Sequence, residues 1–113
     1  FALVMLDIDH FKSINDTFGH DVGDSVLKEL SSLVLDSIRA SDRLARLGGE
    51  EFMVLAPGSA LARAARVADR LCRTVAGHDF AGVPRQVTCS FGVVEHRAGE
   101  SRESVLKRAD QAL

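Results

Sequence analysis

Apolar residues fill nearly the whole opening of the chain, Phe1-Ala2-Leu3-Val4-Met5-Leu6-Asp7-Ile8, with one acid near its end. An unbroken run of this kind, ended by an acid, is consistent with a central strand. His10 to Thr17 reads as a short helix. After a break at Gly19-His20, Val22, Val26, Leu30, Leu33 and Val34 recur at helical spacing, with Asp24 and Lys28 on the opposite side. That is the pattern of a long amphipathic helix, and Asp21 is placed to cap its start.

Two further strands, Asp42 to Leu47 and Glu51 to Ala56, flank a Gly48-Gly49 turn as a hairpin. Pro57-Gly58-Ser59 ends the second of them, and Ser59 is expected to cap an alanine-rich helix reaching Ala76. Gly77 to Arg85 is loop, with room for one short strand. Val87, Cys89, Phe91 and Val93 alternate with Thr88 and Ser90, predicting a strand over Gln86 to Glu95. A turn at Arg97 to Gly99 leads into a last helix from Glu103 to Leu113.

The order strand, helices, strand, strand, helix, strand, helix is that of a βαββαβ split unit. The fold class is therefore α+β and ferredoxin-like: an antiparallel sheet with helices packed on one face. In this topology the first and third strands are antiparallel neighbours. Asp7, ending the first, should then fall beside Glu50 and Glu51, starting the third.

Composition narrows the picture modestly. The 113 residues suit one domain with a real core. A net charge of −2 marks neither a nucleic-acid binder nor a membrane-surface protein, so any nucleotide would be held by a local site. No apolar run is long enough to span a bilayer, which points to a cytoplasmic segment without membrane contact. Cys72 and Cys89 sit in apolar surroundings without metal-type spacing and are expected to be reduced core residues. The chain opens inside an apolar run and ends within a helix, so it is expected to be one domain cut from a longer polypeptide.

The candidate chemistry lies where the topology joins the acids. Asp7, Glu50 and possible help from Glu51 make an oxygen-rich edge suited to a hard cation, and the Ile8 carbonyl adds a further ligand. Magnesium takes oxygens at about 2.1 Å and favours one or two carboxylates with phosphate and water. Two such ions roughly 4 Å apart can activate an attacking oxygen and stabilise a leaving one. The following His10-Phe11-Lys12 begins a helix, where free N–H groups and a lysine suit a phosphate tail. Asn15 and Asp24 are a natural pair for a guanine edge, the aspartate accepting from N–H groups and the asparagine amide meeting the base's acceptors. Each also has a plainer structural role available: strand terminator, solvated lysine, turn residue, helix first-turn acid.

Taken together, the run from Asp7-Ile8-Asp9-His10-Phe11-Lys12 through Asn15 to Gly23-Asp24, with the Gly48-Gly49-Glu50-Glu51-Phe52 turn, resembles a GGDEF-type diguanylate cyclase domain in its Glu-Glu form. Ser90-Phe91-Gly92-Val93 and Leu106 to Leu113 are similar to that family's last core strand and closing helix. The resemblance implies a nucleotide-cyclase or polymerase-palm-like fold. It implies condensation of two GTP into cyclic di-GMP and two pyrophosphates, with two Mg²⁺ or Mn²⁺ per active site, across a homodimer in which each subunit holds one GTP. By the same likeness Asp7, the Ile8 carbonyl and Glu50 correspond to metal ligands, and Glu51 to a second acid proposed to help deprotonate the 3′-hydroxyl. Asn15 and Asp24 correspond to the guanine-binding pair and Phe11 and Lys12 to the phosphate turn. Gly48 and Gly49 would keep the hairpin low against the α-phosphate and ribose.

Arg39-Ala40-Ser41-Asp42 has the family's Arg-x-x-Asp pattern of a product-inhibition site, and Arg70 corresponds to an auxiliary arginine there. The family's closing Tyr-x-Ala-Lys and Gly-Arg-Asn stretch, with its phosphate-holding lysine and arginine, is missing. So are an upstream Asp-x-Leu-Thr-x-Leu-x-Asn-Arg segment and the sensory or regulatory domain that usually precedes such domains. If the 113 residues were the whole molecule, GTP affinity and turnover should be badly reduced. Two rivals stand beside the cyclase: a degenerate GTP-sensing or cyclic di-GMP-binding receptor, and a nucleotide-independent interaction domain.

Overall fold

A computed structural model describes residues 1–113. Four strands, β1 (Ala2–Ile8), β2 (Arg43–Gly48), β3 (Glu51–Ala56) and β4 (Cys89–Glu95), form one antiparallel sheet in the order β2-β3-β1-β4. The helices are α1 (Phe11–Phe18), α2 (His20–Ser37), α3 (Leu61–Ala76) and α4 (Arg102–Ala112). The most apolar strand takes the inner position. β1 pairs with β3 from Ala2↔Ala56 to Asp7↔Glu51, and with β4 from Ala2↔Glu95 to Ile8↔Cys89. Its backbone groups are thereby paired on both edges, as burial requires.

Alternation along β1 divides the core in two. Ala2, Val4, Leu6 and Ile8 face a cluster of 21 buried residues built with α1, α2 and α3. From α2 this cluster takes Val26, Leu30 and Val34, one turn apart and each at most 1% exposed. Burying each contributes roughly 1.5–3 kcal/mol, and truncating Leu30 to alanine would cost about 2–5 kcal/mol. Leu3 and Met5 point the other way, onto Val94 and onto Val105 and Ala109 of α4. Helices thus cover both faces of the sheet, where the pattern predicted one. The continuous apolar run of β1 is explained by this double burial.

Several local expectations are also corrected. α2 starts after Gly19, whose φ of 97° breaks it from α1, and Asp21 lies in the first turn without a side-chain capping bond. Ala60, not Ser59, is the N-cap of α3; Ser59 is buried and its hydroxyl is turned to Arg63. β4 begins at Cys89, and no strand forms between α3 and β4. Both cysteines are free, and Cys89 is buried, but Cys72 is exposed on the outer side of α3. Burial pushes the Cys89 thiol up to about 12, with Asp9, Asp7 and Cys72 adding to it, so it stays protonated. No helix is long and apolar enough to cross a membrane.

Candidate active site

The end of β1 meets the start of β3 as the topology requires. Asp7 stands directly across from Glu51, and the Ile8 N–H donates to the Glu50 carbonyl at 3.3 Å. Directly opposed residues of an antiparallel pair project to the same face. Asp7 therefore continues the row of Leu3 and Met5 on the α4 side of the sheet, and Glu51 joins it there. A cleft of about 500 Å³ opens at this edge, lined by Asp7, Ile8, Phe11, Lys12 and Glu50 among others, with Asp110 and Leu113 closing its α4 side.

Asp7 is held under tension with its surroundings. Its Oδ1 is the one buried side-chain polar atom with no hydrogen-bond partner. Burial, then the charges of Glu50 and Asp9, raise its carboxyl above the ordinary range. Glu51 is raised as well, first by hydrogen bonding with Asp110, then by burial and the charges of Asp110, Asp7 and Glu50. Native proteins seldom leave a buried oxygen unpaired. A cation at this edge would satisfy it and relieve the mutual repulsion.

The donor chemistry fits such an ion. Carboxylates and a backbone carbonyl are hard oxygen donors of the kind magnesium and manganese take. No group of three or more His, Cys, Asp or Glu side chains lies close enough together to hold a metal ion by itself.

Asp9, by contrast, is committed elsewhere. It accepts from the Thr88 hydroxyl at 2.8 Å and the Ser90 hydroxyl at 2.6 Å, while its N–H donates to the Thr88 carbonyl at 2.9 Å. These bonds clamp β4 to the end of β1. Immediately after, His10 adopts φ 57° and ψ 34°, the only non-glycine residue with positive φ. A non-glycine residue there costs about 1–2 kcal/mol, and the kink turns the chain at once into α1 beside the acids. Phe11 packs into the core; Lys12 is exposed and paired to Asp16 at 2.9 Å.

Asn15 packs onto α2 at Gly23, the residue before Asp24. A Cβ on Gly23 would lie 1.8 Å from Asn15 Oδ1, so the asparagine side chain occupies space that only glycine leaves on α2. Asp24 lines a second cleft of about 340 Å³, together with Lys28, Ser31, Arg46 and Phe52. Asp24 and the candidate metal residues thus line two different clefts, and Asn15 lines neither of them. Gly48 (φ 154°) and Gly49 (φ 47°) form the hairpin tip, with nothing within 4 Å of where their Cβ atoms would be. Arg46 Nε donates to the Gly49 carbonyl at 2.9 Å and braces this turn.

At the far end of the hairpin, Arg39 and Arg70 are exposed and the Arg70 guanidinium donates to the Ser37 carbonyl. Asp42 is buried, its carboxylate paired to Arg63 and accepting from the Arg39 N–H. Arg46, Arg63 and Asp110 escaped the sequence reading. Each looks like an ordinary surface charge on its own strand or helix; Arg46 finds its partner within the hairpin, whereas Arg63 is paired only by long-range packing and Asp110 is brought to the acidic cleft by the docking of α4.

An antiparallel palm-like α+β domain with carboxylates converging beside an open polar cleft is the class that these features define. The sequence matches the family described as Diguanylate cyclase, GGDEF domain over residues 1–113, and the chain belongs to that family. It is 45% identical over 113 residues to diguanylate cyclase DgcP of Pseudomonas aeruginosa, covering 98% of this chain and 17% of that protein. The active GGEEF domain of a diguanylate cyclase from Vibrio cholerae superposes with a TM-score of 0.92 at 34% identity, covering 99% of this chain and 72% of that one. The GGDEF domain of DgcB from Caulobacter crescentus, solved in complex with c-di-GMP, gives 0.90 at 35% identity, covering 98% and 68%. The chain spans well under half the length of the curated relatives it matches, from 17% to 33%.

Proposed function

We propose that this domain is a diguanylate cyclase unit that condenses two GTP into cyclic di-GMP and two pyrophosphates. The observation that carries the reading is Asp7 and Glu50 lining one open cleft, with Glu51 opposite Asp7 in the sheet and one Asp7 oxygen buried and unpartnered. Asp7, the Ile8 carbonyl and Glu50 would hold Mg²⁺ or Mn²⁺. When bound, the ions would acidify the 3′-hydroxyl and neutralise the departing pyrophosphate.

The chain's own groups do the remainder. Asn15 and Asp24 hold the guanine edge, Phe11 and Lys12 border the phosphates, and the Gly48-Gly49 tip admits the α-phosphate. The 3′-oxygen of one GTP bonds to the α-phosphorus of the other as the bond to pyrophosphate breaks. Its proton passes to Glu51, which stands across the β1–β3 ladder from Asp7. Each half-site supplies one nucleotide, so two copies of the domain must face each other and a monomer is silent. Arg39, Asp42 and Arg70 form a product site that restrains the rate. The domain works in the cytoplasm, in a parent chain open to membrane anchoring, under an upstream sensory or regulatory domain in the same chain.

The test is direct: the protein incubated with GTP and Mg²⁺ should yield cyclic di-GMP and pyrophosphate, and Glu50→Gln should not. Cyclic di-GMP binding without turnover would identify a receptor instead. Near-normal activity of Glu50→Gln would remove Glu50 from the metal set.

A further inference from the structure

The first turn of α3 brings Arg63 against the residue that precedes β2. Its Nη2 donates to Asp42 Oδ2 at 3.0 Å and its Nη1 reaches Oδ1 at 3.4 Å, a fork laid across the carboxylate. The same Nη1 donates to the Ser59 hydroxyl at 2.6 Å. Asp42 Oδ2 also accepts from the Arg39 N–H at 2.9 Å. The Asp42 side chain is 1% exposed and that of Arg63 14%, so the pair lies inside the protein, not on its rim. Burial alone would raise the Asp42 carboxyl, but Arg63 and the Arg39 N–H outweigh it and keep it ionised.

This arrangement bears on the product site proposed above. To hold a guanine by its ring N–H and exocyclic amine, an aspartate must offer both oxygens outward. Here both point to α3. Arg39 and Arg70 face water and could meet a phosphate or a base edge, yet the acid that should complete the clamp is already paired.

We propose that Arg63 competes with the guanine of cyclic di-GMP for Asp42, forming an internal lock that must open before the ligand is captured. The inference rests on the reading of Arg39 and Asp42 as a product site. In consequence the wild-type chain binds cyclic di-GMP weakly there, because each capture event must first break a buried ion pair. Ser59 sets the strength of the lock by holding the same Nη1 group that reaches Asp42 Oδ1.

Calorimetric titration of cyclic di-GMP into the intact protein tests this. Arg63→Met, which keeps the apolar stem and removes the charge, should tighten binding at least tenfold. Ser59→Ala, which leaves the charge balance intact, should tighten it by a smaller factor and guards against misfolding of the first variant. Arg39→Ala should abolish binding. If Arg39→Ala abolishes binding while Arg63→Met and Ser59→Ala leave it unchanged or weaker, the competition is refuted and the product site survives. If Arg39→Ala has no effect, or no form binds, the product site itself is refuted and the lock with it.

Discussion

Asp7 and Glu51 face each other across the β1–β3 ladder, two carboxylates on the same side of adjoining strands. Like charges directly opposed in a sheet are destabilising, and one Asp7 oxygen is buried without a partner. The fold thus holds an electrostatic liability at the place where its chemistry is proposed.

That liability makes a prediction about stability. Replacing Asp7 by Asn removes the charge while keeping the shape, and should stabilise the metal-free protein at neutral pH by about 1 kcal/mol, or about 4 °C. Turnover should fall at least about a hundredfold with loss of a metal ligand. Thermal melts without and with Mg²⁺ check both sides; a lower melting temperature for the metal-free variant would contradict the account.

Gly23 separates folding from base recognition. Alanine in a helix interior is favoured over glycine by about 1 kcal/mol, but here its Cβ would sit 1.8 Å from Asn15 Oδ1. The asparagine side chain can rotate away, so Gly23→Ala should leave stability within about 1 kcal/mol of wild type. GTP affinity should drop roughly tenfold through loss of a base hydrogen bond, with little change for ATP. Equal losses for the two nucleotides would argue against Asn15 as a guanine contact.

Gly92 has no such escape. A Cβ there would approach the backbone of Ala112 and Leu113 to 2.7 Å, and the α4 backbone cannot rotate aside as a side chain can. Gly92→Ala should therefore cost about 1–3 kcal/mol and raise hydrogen exchange selectively in α4. An unchanged denaturation midpoint would mean that α4 rides less closely on β4.

Acid stability should split by residue. The Asp42 and Glu29 carboxyls are lowered: burial opposes this, but Arg63 and the Arg39 N–H prevail at Asp42, and His78 with the Ala81 N–H at Glu29. A carboxyl lowered by folding contributes stability above its ordinary value, 3.8 for Asp and 4.5 for Glu, that is lost as pH falls below it. Asp7 is raised, so protonation at falling pH favours the fold and opposes that loss. Asp42→Asn should flatten the acid limb of the melting curve, and Asp7→Asn should steepen it. Parallel limbs for both variants would overturn these assignments.

Much of the architecture was legible in the chain because it depends on local period. The alternation in β4, the short apolar run of β3, the 3.6-residue spacing of Val22, Val26 and Leu30, and the Gly48-Gly49 turn each report a backbone conformation. Cap positions were less legible: Ser59 has the chemistry of an N-cap, but Arg63 claims its hydroxyl. The side of the sheet covered by α4 was not legible either, since a strand buried on both faces carries no alternation to orient its neighbours.

The sequence by itself determined that a central apolar strand ends in an acid, that a glycine turn presents two more, and that a split βαββαβ order sets them side by side. Those features follow from residue type and spacing, which act within a few positions. Tertiary structure alone decided that Asp110 lines the acidic cleft, that Asn15 rests on Gly23, and that Arg63 draws Asp42 inward. A charged side chain on an amphipathic helix has the same local pattern whether it meets water or a buried partner, and only packing between distant elements separates the two.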